Sequence, residues 1–189
     1  MEQTRLTTEN SEFVRVRDYI PDLLVELPYA TPDNFMGRAV YSFSDAWLRL
    51  GTVKRLCRVQ ETLKRQGLGL KILDAFRPPA AQFVMWDVLP DDEFVANPNK
   101  GFSNHSRGNA VDVTLVDTEG KELPMPTEFD DFSPRAGRAY RGPDEKRTEN
   151  MLLLERTMEA EGFRPYSGEW WHFADVDVYP VELEFMPQD

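Results

Sequence analysis

Apolar side chains recur every three to four residues in some stretches of the chain and alternate with polar ones in others, which places helices and strands before any motif is considered. Over 44–66, Trp47, Leu50, Val53, Cys57 and Leu63 fall on one side of a helix, with Lys54, Arg58 and Lys64 between them. Ser44 is placed to cap that helix, and Gly67 and Gly69 end it. The short apolar run at 70–76, LKILDAF, predicts a strand. Pro78 and Pro79 suit the first turn of a second helix reaching Leu89, because a missing N–H costs least there. Residues 90–104, punctuated by Pro90, Asn97, Pro98 and Asn99, read as a loop. After Gly108, AVDVTLV alternates and is rich in β-branched residues, which predicts a half-buried strand. The polar span 117–142 reads as a long surface excursion. A third helix is expected over 143–161, with Met151, Leu154 and Met158 inside and Gly162 as its stop, followed by strands at 163–166 and 169–174. This order predicts a single α+β domain over 1–189, with a small, largely antiparallel sheet packed by helices.

Composition narrows the function more than the fold. With 41% hydrophobic and 12% aromatic residues, the 189-residue chain can fill one sizeable core. Its 33 acidic against 22 scattered basic side chains give a net charge of −11, which argues against a nucleic-acid partner. A single cysteine rules out an intramolecular disulfide and any zinc site built mainly on thiolates, and Cys57 reads as a buried, inert thiol. The first twenty residues lack the apolar core of a signal peptide, and no window approaches the roughly 18 apolar residues of a spanning helix. The expectation is a soluble, cytoplasmic protein with no membrane association and no implied protein partner.

Both histidines lie close to carboxylates: His105 in SNHSRGNAVDVTL and His172 in GEWWHF. A chain reversal at Gly108 would bring His105 and Asp112 to one point, and His172 would complete a three-ligand set that leaves a position open for water. On spacing alone a second reading stands equally: His105 caps a turn, Asp112 pairs with an arginine, and His172 packs among aromatics. Glu169, three residues before His172, is placed either as a proton-transfer group beside a metal ligand or as an exposed strand carboxylate. Arg77 suits the stabilisation of an oxyanion, or else a surface ion pair with Asp74. Trp170 and Trp171 read as core or pocket wall. No HExxH helix, G-x-S-x-G elbow or glycine-rich nucleotide loop is present.

The blocks YATPDNFMG (29–37), DAFRP (74–78), SNHSRGNAVDVTL (103–115), FD (129–130) and GEWWHF (168–173) resemble, in that order, those of the VanX-type D-alanyl-D-alanine dipeptidases. These belong to a zinc D-Ala-D-Ala peptidase superfamily that includes D,D-carboxypeptidases and the hedgehog signalling domain. The resemblance implies an α+β fold around a small antiparallel sheet, and one zinc ion per chain held by His105, Asp112 and His172. It implies Glu169 as general base and then acid, Arg77 at the tetrahedral intermediate, and Tyr29, Ser103 and Asp130 at the substrate's termini, Asp130 on its ammonium group. The implied reaction is hydrolysis of D-Ala-D-Ala or a closely related small dipeptide. A D,D- or L,D-carboxypeptidase acting on peptidoglycan stems is the alternative within enzymes. A non-catalytic zinc-binding module is the other, though it would have no use for Glu169 or Arg77. Phe76 and Ala75 stand where the family has tyrosine and glycine, and the loop between Trp86 and Ser103 reads as shorter than in the resistance enzymes; all three are expected to bear on pocket shape.

Overall fold

In the computed structural model, which describes residues 9–188, strands β1 (Phe13–Arg15), β2 (Leu24–Val25) and β3 (Trp47–Arg49) precede helix α1 (Leu50–Lys64). Strand β4 (Leu68–Asp74), helices α2 (Pro79–Val88) and α3 (Asn104–Arg107), and strand β5 (Ala110–Asp117) follow. Helix α4 (Glu145–Ala160) and strands β6 (Phe163–Pro165) and β7 (His172–Asp175) complete the order. Five strands form one sheet in the order β2-β4-β5-β7-β6, with β2 parallel to β4 and every other pair antiparallel. Among the described residues no helix is long and apolar enough to cross a membrane.

The core is built from the periodic positions. Leu56, Val59 and Leu63 of α1 and Met151, Leu154 and Met158 of α4 are fully buried, each contributing roughly 1.5–3 kcal/mol by leaving water. Asp144 caps α4, its side chain accepting from the Lys146 backbone N–H at 3.0 Å.

Several expectations differ from what the structure shows; the last strand, for one, runs His172–Asp175 rather than from 169. Helix α1 begins at Leu50 rather than 44, because Trp47–Arg49 pair with β1 instead of winding on, and Ser44 does not cap it. Strand β5 is buried on both faces rather than one, since it lies at the centre of the sheet and its polar positions Asp112 and Thr114 point inward. The span 117–142 is irregular, but it is not merely surface: Met125, Thr127 and Ala136 are buried. Cys57 is half-buried, with its thiol pKa raised by burial and by Glu61, so it remains a thiol at neutral pH.

Arg49 fastens the segments around Ser11 and Pro180 to α3. It is fully buried, its guanidinium lies 3.8 Å from the centre of the Phe13 ring, and it donates to the carbonyls of Arg107 (2.8 Å), Pro180 (2.6 Å) and Ser11 and to the Glu182 carboxylate. Gly108 ends α3 with φ at 74°, and its carbonyl accepts from the Arg49 backbone N–H at 2.9 Å. A Cβ at Gly108 would fall 2.3 Å from a carbon of the Phe13 ring. Gly108→Ala should therefore destabilise the protein by about 2–4 kcal/mol in denaturant unfolding, from the left-handed backbone plus the displaced ring. A change below about 0.5 kcal/mol, the range of an ordinary surface substitution, would contradict this.

Candidate active site

The cross-strand register puts Asp112 of β5 opposite Asp74 at the end of β4 and opposite His172 at the start of β7. His105 arrives from α3, whose start is fixed by Ser103 accepting the His105 backbone N–H at 3.2 Å and whose end is fixed by Gly108. His172 Nδ1 lies 3.0 Å and His105 Nε2 3.4 Å from Asp112 Oδ1, and the two ring nitrogens are 3.1 Å apart. On its other side His105 Nδ1 is 2.8 Å from the Ala75 carbonyl. A carbonyl only accepts, so Nδ1 carries the proton and the Nε2 lone pair faces the cluster.

These donors fit a metal ion. Three potential ligand atoms of His105, Asp112 and His172 lie within 4.8 Å of one another. Their spacings match the edge of roughly 3.3 Å of a tetrahedron with bonds near 2.0–2.1 Å. Burial alone would raise the Asp112 carboxyl, but His105 and His172 hold it well below the ordinary carboxylate range.

Tyr29, Arg77, Ser103, His105, Asp112, Asp130, Glu169 and His172 all line one cavity of about 310 Å³. Glu169 precedes β7 and is buried; burial, then the charges of Asp112 and Asp130, raise its pKa well above the ordinary value. Arg77 does pair with Asp74, through Nε at 3.1 Å and Nη2 at 2.7 Å, but the pair is buried at the cavity rather than on the surface. Asp130 comes from the 117–142 span with φ at 58°, a conformation that aspartate tolerates better than most residues, and Tyr29 Oη donates to both its oxygens at 3.0 and 2.9 Å. Burial pushes the Asp130 carboxyl up to about 7. Rings of Phe35, Phe94 and Phe132 form an apolar wall, with centroids 5.0 and 5.4 Å apart along the chain of contacts. Trp171 lines the cavity, while Trp170 is buried and donates to Thr127 Oγ1 at 3.0 Å.

Two supports escaped the sequence reading. Tyr41 Oη donates to Asp74 Oδ1 at 2.8 Å, steadying the carboxylate that holds Arg77. Arg138 donates to the carbonyls of Tyr166 (2.7 Å) and His172 (3.0 Å), clasping both ends of the turn that carries Glu169. Nothing in local spacing points to either, because the partners lie 28 to 34 residues away. The expectation that Ala75 and Phe76 shape the pocket is corrected: neither lines the cavity, and Phe76 packs against Phe13 and Phe185.

A buried His/Asp/His cluster beside a carboxyl of raised pKa and an arginine with unspent donors is the equipment of a hydrolytic metalloenzyme. The comparisons sharpen that class. The model of the D-ala-D-ala dipeptidase family of peptidases matches residues 9–186. The D-alanyl-D-alanine dipeptidase of Escherichia coli (strain K12) is 37% identical over 166 residues, covering 88% of this chain and 86% of that protein. That of Enterococcus faecium is 35% identical over 175 residues, covering 80% and 86%. Among solved structures, the vancomycin-resistance D,D-pentapeptidase VanY in complex with Zn(II) overlays 72% of this chain and 76% of its own at 16% identity, with a TM-score of 0.48. The chain belongs to the D-ala-D-ala dipeptidase family, and it is a metallopeptidase.

Asp130 has a stability consequence with a definite sign. Its pKa is about 7 in the folded protein against 3.8 for the ordinary group, so between those values the native state binds more protons than the unfolded chain. Stability contributed at this position is therefore present at low pH and lost as pH rises towards 7. Asp130→Asn in the metal-free protein should melt higher than wild type at pH 8, by a margin that shrinks towards pH 4; equal margins at both pH values would contradict this.

Proposed function

We propose that the chain is a zinc-dependent dipeptidase that hydrolyses D-alanyl-D-alanine or a closely related small dipeptide. The observation that carries this reading is the convergence of His105 Nε2, Asp112 Oδ1 and His172 Nδ1 within 3.4 Å, in a cavity that Glu169 and Arg77 also line. Membership of the D-ala-D-ala dipeptidase family supports the choice of substrate. On this reading His105, Asp112 and His172 hold one zinc ion, for which two imidazoles and a carboxylate are a suitable donor set. Zinc so held supplies Lewis acidity, polarising a carbonyl and making water reactive at neutral pH.

The other steps belong to side chains. Glu169 takes a proton from the attacking water and returns it to the leaving amine nitrogen as the C–N bond breaks, so the water's oxygen ends on the new carboxyl group. Burial and the neighbouring Asp112 and Asp130 carboxylates make it a stronger proton acceptor than an ordinary glutamate, which suits it to taking the proton. Arg77, braced by Asp74, offers its remaining N–H groups to the carbonyl oxygen as negative charge gathers there. Asp130, held by Tyr29, receives the substrate's ammonium group, whose charge favours the ionised carboxylate. Ser103 lines the same cavity and contacts the substrate while capping the helix of His105.

Metal analysis and a panel of D,D-, L,D- and L,L-dipeptides test this reading. Glu169→Gln should keep its metal and lose about 10²–10⁴ in kcat, whereas His172→Ala should lose the metal as well. Turnover of D-Ala-D-Ala by Glu169→Gln at the wild-type rate would refute the base assignment, and a zinc-loaded wild type inert towards the whole panel would refute the dipeptidase.

A further inference from the structure

Arginine carries five N–H donors. In Arg77, Nε and one N–H of Nη2 go to a single oxygen, Asp74 Oδ2, at 3.1 and 2.7 Å. A guanidinium fastened along one edge to one oxygen can still rock about it, and the corner that swings furthest is Nη1. That corner is held by Gln82, whose Oε1 accepts from Nη1 at 2.9 Å. One N–H on each terminal nitrogen is taken by neither Asp74 nor Gln82.

Gln82 lies in the first turn of α2 and is 2% exposed. Its Nε2 donates to the Ala96 carbonyl at 2.8 Å. The orientation of the amide follows from chemistry: arginine only donates and a carbonyl only accepts, so a flipped amide would lose both bonds. Ala96 belongs to the wall segment 92–96, which is also held by Tyr166 Oη on the Glu93 carbonyl at 2.9 Å and by Phe94 against Phe132. One buried amide thus joins the guanidinium to the cavity wall.

We propose that Gln82 is a positioning residue for hydrolysis: it locks the free corner of Arg77 and sets it in register with the wall at Ala96. This rests on the role proposed for Arg77. Without the amide, Arg77 keeps its charge and its bond to Asp74 but loses its fixed aim, and a misplacement on the order of 1 Å costs about 100-fold in rate.

The test uses zinc-loaded full-length protein and D-Ala-D-Ala. Gln82→Leu and Gln82→Met are each made alone and in an Arg77→Lys background, and kcat, KM and melting temperature are measured separately. Each single variant should lose about 10- to 100-fold in kcat while KM moves by less than about threefold. In the Arg77→Lys background the same change should lower kcat by less than about threefold, because a residue acting through Arg77 has nothing left to position. Two variants are made so that one that fails to fold leaves the other to decide. A lowered melting temperature with kcat retained overturns the inference. So does a kcat loss that multiplies in full onto that of Arg77→Lys. Arg77→Lys with wild-type kcat overturns the role of Arg77 itself, which separates failure of that reading from failure of the role of Gln82 alone.

Discussion

Asp112 stands opposite Asp74 on one neighbouring strand and opposite His172 on the other, and this pairing of the central strand is the constraint from which the site follows. Side chains alternate along a strand, so a slip of one residue would exchange Asp112 for Val111 or Val113 and turn the carboxylate into the opposite face. Val111, Val113 and Leu115 are fully buried on that face, and a misplaced carboxylate there would lose its partners and its solvation together. The hydrophobic alternation of β5 thereby fixes where a charge must sit. The pairing with β4 shifts between Ile72 and Asp74, so that Asp74 rather than Leu73 meets Asp112. That irregularity puts the anchor of Arg77 beside the metal-ligand candidate, as bulges near functional sites commonly do.

The electrostatics of the cavity run against stability. Asp112 and Glu169 are buried there with the partly buried Asp130, Asp74 lies buried behind Arg77, and Arg77 is the cation set among them. Two of these carboxyls answer by rising in pKa, Asp130 to about 7 and Glu169 well above its ordinary value. A cation at the His105, Asp112 and His172 cluster would relieve that crowding, since a bound metal is the largest local charge in such a site. The net charge of −11 is therefore not spread evenly in its effects: part of it is concentrated where a divalent ion and an ammonium group would both be attracted.

Legibility from sequence followed the range of each interaction. Helices α1 and α4, with their faces of Val53, Leu63, Met151, Leu154 and Met158, could be read because helical periodicity is local. The start of α1 could not, because Trp47 continues the helical spacing and only pairing with the distant Phe13–Arg15 strand claims it for the sheet. The half-buried reading of β5 failed for a related reason: alternating polar residues usually face water, but Asp112 and Thr114 face a second buried layer. All eight candidate residues could be named from blocks of a few residues each, and the structure gathers them round one cavity. Their supports were silent. Tyr41, Gln82 and Arg138 act on Asp74, on Arg77 and Ala96, and on the carbonyls of Tyr166 and His172, and apart from the Gln82–Arg77 contact these join groups 14 to 34 residues apart.

The same division bears on where substrate choice resides. Ala75 and Phe76 lie within a motif block, yet Phe76 is buried among Phe13 and Phe185, and what Ala75 offers the site is its carbonyl to His105 Nδ1. A backbone carbonyl serves equally under glycine or alanine. The cavity wall is assembled elsewhere, from Phe35, Phe94 and Phe132 and from Tyr166 reaching across to the Glu93 carbonyl. Phe94, Phe132 and Tyr166 lie outside the matching blocks, on loops joining the elements that hold the reacting groups. Loops on a rigid scaffold can change without disturbing the sheet register that holds the proposed ligands. On the proposed reading, segments 92–96 and 132 bound the space for the substrate's side chains, while β4, α3, β5 and β7 hold Asp74, His105, Asp112 and His172 in register.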